Sequence, residues 1–223
     1  MVCENCDPKL NRQGRVIKVL NSDWKYPVCS ECGDEISNKT SKSISTSTSW
    51  DQYFHKLCTT VASKSPCLSH QIGAVAVRDK SIITTGYNGP PRGIPHCGHD
   101  RLMKDHCLSN YFANLTGPMN NHPVNRIRSE CPRQVLGYPS GTHMELCPAQ
   151  HAEENIVSNA ARNGVSILGA TLYMNSVIPC QKCYGTLINA GFVEIVVECP
   201  TPYDRWTQFL IDSSDIKIRS FEL

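Results

Sequence analysis

Cysteine placement constrains this chain more than any other feature. Its 223 residues hold 13 cysteines, an odd number. Several fall in Cys-x-x-Cys pairs: Cys3 and Cys6 in CENC, Cys29 and Cys32 in CSEC, Cys180 and Cys183 in PCQKC. Thiolates at that spacing ligate zinc in a reducing compartment, whereas an exported chain would use them for disulfides. The opening MVCENCDPKL lacks the charged-then-apolar order of a signal peptide, and no apolar run approaches the roughly 20 residues of a membrane helix. The expectation is a cytoplasmic protein, with no membrane partner, whose fold is organised partly by metal. A formal net charge of +2 gives no basic bias toward nucleic acid.

Residues 1–36 carry the first two cysteine pairs on either side of RVIKVL, which reads as a strand. Cys3, Cys6, Cys29 and Cys32 fit a zinc ribbon, in which a tetrathiolate ion supplies folding energy that so short a segment cannot obtain by burial. SNKTSKSISTSTS, residues 37–49, reads as a flexible linker. The main domain, residues 50–223, opens with WDQYFHKLCTTVASKS, whose apolar spacing suits an amphipathic helix. QIGAVAVRDKSIITTGYNG follows as two strands around RDKS. From residue 89 to about 147 the chain is rich in Gly, Pro, Asn, His and Cys and has little periodicity. A stretch of that length needs something to pin it, and its cysteines offer the means. Beyond it the pattern becomes regular: helix AEENIVSNAARNG, strand ATLYMN, helix CQKCYGTLINAG, strand VEIVVE, helix YDRWTQFLIDS and strand IKIRSFE. Helices alternating with short apolar strands define an α/β layered domain.

Two of those helices begin with unusual residues. His151 and Glu153 open one, and Pro179, Cys180 and Cys183 open another, 29 residues on from His151 to Cys180. Proline suits a first turn, cysteines at i and i+3 face the same way, and a helix N-terminus favours thiolate. One helix and one strand separate the two openings, a crossover that can bring both helix N-termini to the same end of a sheet. His151, Cys180 and Cys183 then supply three ligands and leave a fourth zinc position open, the mark of a catalytic rather than a structural site. Glu153 is left beside that position to carry protons, while Glu154 stabilises the helix N-terminus as a fixed charge. His55, His70 and His122 carry no motif and read as structural or surface residues.

H-x-E…P-C-x-x-C is the known signature of zinc nucleobase deaminases. The sequence resembles the cytidine and deoxycytidylate deaminase family over roughly residues 50–200. GYNGPPRG (residues 86–93) is similar to a segment of the deoxycytidylate members, as are CPRQVLGYPSGTHMELCPAQHAE and WDQYF followed by VASKSPC to segments of bacterial, archaeal and phage members. The resemblance implies a mixed five-stranded sheet sandwiched by helices, with Zn2+ held by His151, Cys180 and Cys183 and with Glu153 as general acid/base. It further implies that the Ala152 N–H meets the pyrimidine carbonyl and that Asn88 contacts the nucleoside; charge alone suggests Arg92 for the phosphate. A second, structural zinc is implied on Cys67, Cys97, Cys131 and Cys147, with His96, Cys107 and His143 as substitutes.

The implied reaction is hydrolytic deamination of dCMP to dUMP and ammonia, feeding thymidylate synthesis. Glu153 would move a proton from the activated water to ring N3 as hydroxide attacks C4. A homo-oligomer, often a hexamer, and regulation by dCTP and dTTP with Mg2+ accompany this activity in some relatives. The alternatives are deamination of dCTP, cytidine or a modified cytosine nucleotide, deamination of a polynucleotide gripped by the ribbon, and a catalytically silent zinc-binding interaction protein. The near-neutral charge and the lack of an aromatic-basic stripe weigh against the polynucleotide. The intact catalytic set weighs against silence.

Overall fold

The computed structural model describes residues 48–115 and 122–223, together with the backbone of two short strands nearer the start of the chain. Those strands, β1 (Ile17–Lys18) and β2 (Val28–Cys29), pair antiparallel with Ile17 opposite Cys29. β1 lies within RVIKVL, the segment that reads as a strand. Cys3, Cys6, Cys32 and the side chain of Cys29 lie outside the described residues. The chain divides into two compact units, Met1–Thr48 and Ser49–Leu223. No helix among the described residues is long and apolar enough to cross a membrane.

The larger unit begins with α1 (Trp50–Ala62), started by a reciprocal cap. Ser49 Oγ accepts the Gln52 N–H at 3.1 Å, and Gln52 Oε1 accepts the Ser49 N–H at 3.3 Å. β3 (Gly73–Arg78) and β4 (Ser81–Tyr87) then form a hairpin whose two-residue turn, Asp79 and Lys80, has positive φ at both positions (52° and 60°). The regular half follows as α6 (Ala152–Asn163), β5 (Thr171–Ile178), α7 (Gln181–Ala190), β6 (Glu194–Pro202), α8 (Thr207–Asp212) and β7 (Lys217–Ser220), the labels α2–α5 belonging to the segment between. Strand order is β4-β3-β5-β6-β7, antiparallel across β4-β3-β5 and parallel across β5-β6-β7. This is the mixed five-stranded sheet expected from the resemblance.

Strand alternation decides which residues meet which helices. Ala74 and Ala76 of β3, Leu172 and Met174 of β5, and Ile195 and Val197 of β6 pack with Ile156 of α6 and Tyr184 and Leu187 of α7. The intervening Val75, Val77, Tyr173 and Val196 point the other way, onto Phe54 and Cys58 of α1. Each of the fully buried Val, Leu, Ile, Met and Phe side chains among them contributes about 1.5–3 kcal/mol, so the two faces give the sheet its helical sandwich. At two places the approach is so close that only glycine fits. A Cβ on Gly73 would lie 2.1 Å from the Cys58 carbonyl oxygen, and one on Gly86 would lie 2.5 Å from that of Ala152.

The described residues of the aperiodic stretch from 89 to about 147 fold into short elements. They are not structureless: they hold α2 (His99–Lys104), α3 (His106–Ala113), α4 (Pro123–Arg126), α5 (Pro132–Val135) and a 3₁₀ turn, Met144–Leu146. Leu102, Leu108, Phe112 and Ile127 form their own buried cluster, covered by Val124, Val135, Leu136 and Leu146. Apolar burial therefore pins the segment, in addition to whatever its cysteines do.

Candidate active site

The site lies where β5 ends. α6 runs back along the sheet toward the start of β5, and α7 leaves directly from its end, so both helix N-termini meet there, as the crossover arithmetic requires. Local devices set α6. Gly86 admits it closely onto β4, Asn155 Nδ2 donates to the Tyr87 carbonyl at 2.8 Å, and Asn159 Nδ2 donates to that of Thr85 at 2.8 Å. An isolated bridge between Gly89 and Gln150 fixes the approach to His151. Glu154 Oε2 accepts the His151 N–H at 2.9 Å, closing the helix start as expected of it. α7 is set by Asp204, whose Oδ2 accepts the Gln181 N–H at 3.0 Å.

His151 Nδ1 stands 3.4 Å from Cys183 Sγ and 3.7 Å from Cys180 Sγ. Among the described residues this is the one group of three or more candidate ligands with its ligand atoms within 4.8 Å of one another. Zn–S and Zn–N bonds of about 2.3 and 2.0–2.1 Å at a tetrahedral angle separate S from N by about 3.6 Å, so zinc fits the spacing. The charges fit as well. The Cys183 thiol, together with His151, stabilises Cys180 as thiolate and pulls it down to about 4, while Cys183 is raised because it retains the proton. The hydrogen bond to Cys180 pushes His151 up to about 9 against its burial. Glu153 is buried (4% exposed), and desolvation lifts its carboxyl to about 7, offset in part by His151. A carboxyl titrating near neutrality suits general acid/base work.

A cavity of about 110 Å³ adjoins these groups. His151, Ala152, Glu153 and Cys180 line it beside Ile72, Val177 and Ile178, with Arg133, Ser140 and Tyr203 among its polar residues. Ala152 is fully buried at the first helical position, where a backbone N–H has no acceptor within the helix. Asn88 also lines the cavity, but its amide is largely engaged: Oδ1 accepts the Ile72 N–H and Nδ2 donates to the His70 carbonyl, each at 2.8 Å. Arg92 lies outside the lining. It is exposed and donates to Asn159 Oδ1 at 2.9 Å, which makes it part of the brace between α6 and β4. His70, which reads as structural or surface from sequence, is exposed and lines the cavity.

The other four candidate ligands are less tightly grouped. Cys97 is raised by burial, with Cys147 and Cys131 close enough to add to the shift and the Arg101 guanidinium opposing it from 3.5 Å. Cys67 lines the cavity with Cys147. These four do not converge within 4.8 Å as the first three do. Sequence reasoning passed over Arg133 and Tyr203. Arg133 stands within CPRQVLGYPSG, a segment noted for its resemblance as a whole, and Tyr203 follows β6 with no motif around it.

The fold and this centre define a zinc deaminase-type domain. Residues 48–199 match the family model of the cytidine and deoxycytidylate deaminase zinc-binding region, and the chain belongs to that family. It is 31% identical over 173 residues to the deoxycytidylate deaminase of Saccharomyces cerevisiae, covering 78% of this chain and 45% of the relative. It is 34% identical over 158 residues to that of Enterobacteria phage T2, covering 65% and 76%. The chain thus spans about half the length of the yeast relative. Among solved structures, dCMP deaminase from the cyanophage S-TIM5 in complex with dCMP and dUMP is similar at 19% identity and a TM-score of 0.48, covering 76% of this chain and 94% of that one.

Proposed function

We propose that the protein is a hydrolytic deaminase that converts dCMP to dUMP and ammonia. The observation that carries this reading is the convergence of His151, Cys180 and Cys183 beside the buried Glu153 at a cavity. His151, Cys180 and Cys183 would hold zinc, which would supply Lewis-acid activation of water. Glu153, desolvated and titrating near neutrality, moves one proton from water to ring N3, where it stays, as the hydroxide oxygen bonds to C4. It then moves the remaining hydroxyl proton to the amino group as the C4–N bond breaks, so that ammonia leaves and the C4 carbonyl forms. The Ala152 N–H is free to hold the pyrimidine carbonyl, and the apolar wall of Ile72, Val177 and Ile178 excludes bulk water from the ring.

The relatives' names bring dCMP forward as the substrate, against dCTP, cytidine or a modified nucleotide. Loss of cytosine absorbance from dCMP, dCTP, deoxycytidine and CMP tests the choice, with Glu153→Gln as control. Turnover of dCMP that is abolished by the substitution supports the reading. No turnover of any of the four by zinc-loaded protein sinks it.

The same reading carries a structural zinc on Cys67, Cys97, Cys131 and Cys147 and another in the ribbon of residues 1–36, counted by metal analysis of the native protein. It places the enzyme in the cytoplasm, where the thiols stay reduced. It also includes a homo-oligomer switched by dCTP and dTTP with Mg2+, which light scattering and rate assays with each effector would reveal.

A further inference from the structure

The cavity contains a cation that the chemistry above does not use. Arg133, on the short helix α5, is the one lysine or arginine lining it among the described residues. Its guanidinium is half-buried and poorly satisfied. Nη1 points at the Met144 sulfur, 3.0 Å away, and Nη2 donates to the Pro139 carbonyl at 3.3 Å. Nε is buried with no partner, the one buried side-chain nitrogen or oxygen in that condition among the described residues. Thioether sulfur is a weak acceptor, so this fork of five donors meets little that matches it.

Other arginines nearby are spent. Arg101 is bound to Asp105 and the Leu146 carbonyl, Arg126 to Glu130, and Arg92 to Asn159. No carboxylate among the described residues lies within ion-pair distance of Arg133; Glu145, whose charge it feels, is bonded instead to His143 at 2.9 Å. Two hydroxyls flank the same cavity: Ser140 Oγ and Tyr203 OH, 3.1 Å apart. A planar guanidinium with unfilled donors at the wall of a cavity, accompanied by hydroxyls, suits a tetrahedral oxyanion.

We infer that Arg133 binds the 5′-phosphomonoester of the substrate, assisted by Ser140 and Tyr203, and thereby selects nucleotide over nucleoside. The inference rests on the proposed function. It moves phosphate recognition from Arg92, which charge alone suggested, to a residue that reaches the cavity.

The test measures kcat/KM for dCMP and deoxycytidine with zinc-loaded full-length protein and the variants Arg133→Gln, Arg133→Lys and Arg92→Gln. Calorimetry of dUMP and deoxyuridine binding accompanies it. Arg133→Gln is expected to lower the dCMP-to-deoxycytidine ratio of kcat/KM about 100-fold, the worth of roughly two charge-assisted hydrogen bonds. Arg133→Lys, which keeps charge but not the fork, should fall between, and it stands in if the glutamine variant does not fold. The tighter binding of dUMP than of deoxyuridine should shrink in parallel. Equal losses for both substrates, or a ratio that falls only in Arg92→Gln, overturn the assignment. If wild-type protein deaminates nothing, the proposed function fails, and binding alone decides on Arg133: equal affinity for dUMP and deoxyuridine overturns it.

Discussion

Two stretches of similar importance to the site are built in opposite ways. From His151 to Ala190 the chain forms a regular helix-strand-helix crossover whose helices bury wide faces against the sheet. From Gly89 to Gln150 the described residues form four short helices and a 3₁₀ turn around a private cluster of Leu102, Leu108, Phe112 and Ile127. The first stretch supplies the candidate metal ligands His151, Cys180 and Cys183 and the buried Glu153 proposed to carry protons. The second supplies Arg133 and Ser140 to the cavity. Chemistry that tolerates no displacement stands on the rigid crossover, whereas substrate recognition is assigned to the part whose stability is local. A scaffold can keep its reaction and vary its ligand by rebuilding the second stretch alone.

The largest effects should fall on the crossover. Glu153→Gln should lower kcat by about 10²–10⁴-fold, the usual worth of a positioned proton carrier, while zinc content stays at the wild-type level. Cys183→Ala should remove both zinc and turnover. Metal analysis paired with rate assays separates the two variants. If zinc were lost from Glu153→Gln as well, the carboxylate would be acting through the ligand set rather than on the substrate.

Phe112→Ala then asks whether the irregular stretch is a cooperative unit of its own. Phe112 is fully buried, and its truncation should cost about 3–5 kcal/mol. That loss should appear as faster amide exchange across α2 and α3, with β5 and β6 still protected. Equal acceleration in β5 and β6 would mean that the two regions unfold as one. Gly86→Ala makes the complementary test at the join of α6 and β4. A methyl group there meets backbone, which cannot retreat. Overpacking of this kind costs about 1–3 kcal/mol, and the displaced Glu153 should lower kcat more than KM rises.

How far each region could be read from sequence follows the same division. The crossover was legible because its helices are long enough to show a period and end on Gly164 and Gly191, both in the left-handed conformation. The ligands came from side-chain chemistry together with that spacing. In the other region, helices of four to eight residues make one or two turns, too few for a periodic signal, so its hydrophobic cluster was invisible as a pattern. Arg133 was missed for a further reason. Its role depends on what fails to pair with it in three dimensions, which no local string of residues records.

Acid should have a smaller effect, through one ion pair that ties α1 to β7 outside both stretches and one within the irregular stretch. Burial raises Asp51, but the Arg219 guanidinium and the Glu222 N–H outweigh it and hold the carboxyl below its ordinary value. Asp105 behaves alike, raised by burial but held low by the Leu108 N–H and by Arg101. For a carboxyl depressed in the folded state, the stabilisation is fully present above the unfolded value near 3.9 and is lost as pH falls through the lower folded value. Each pair should contribute about 1–2 kcal/mol at neutral pH, and nothing below both values. The Asp51 side chain is 11% exposed against 30% for Asp105, so screening should leave Asp51 the larger share. Amide exchange measured from pH 6 to pH 3 in Asp51→Asn should flatten the acid response of β7 and leave that of α2 and α3 intact, with Asp105→Asn doing the reverse. A single substitution that flattened both would show that the irregular stretch and the α1–β7 edge of the sheet share one electrostatic support, and the division between them would not extend to their charges.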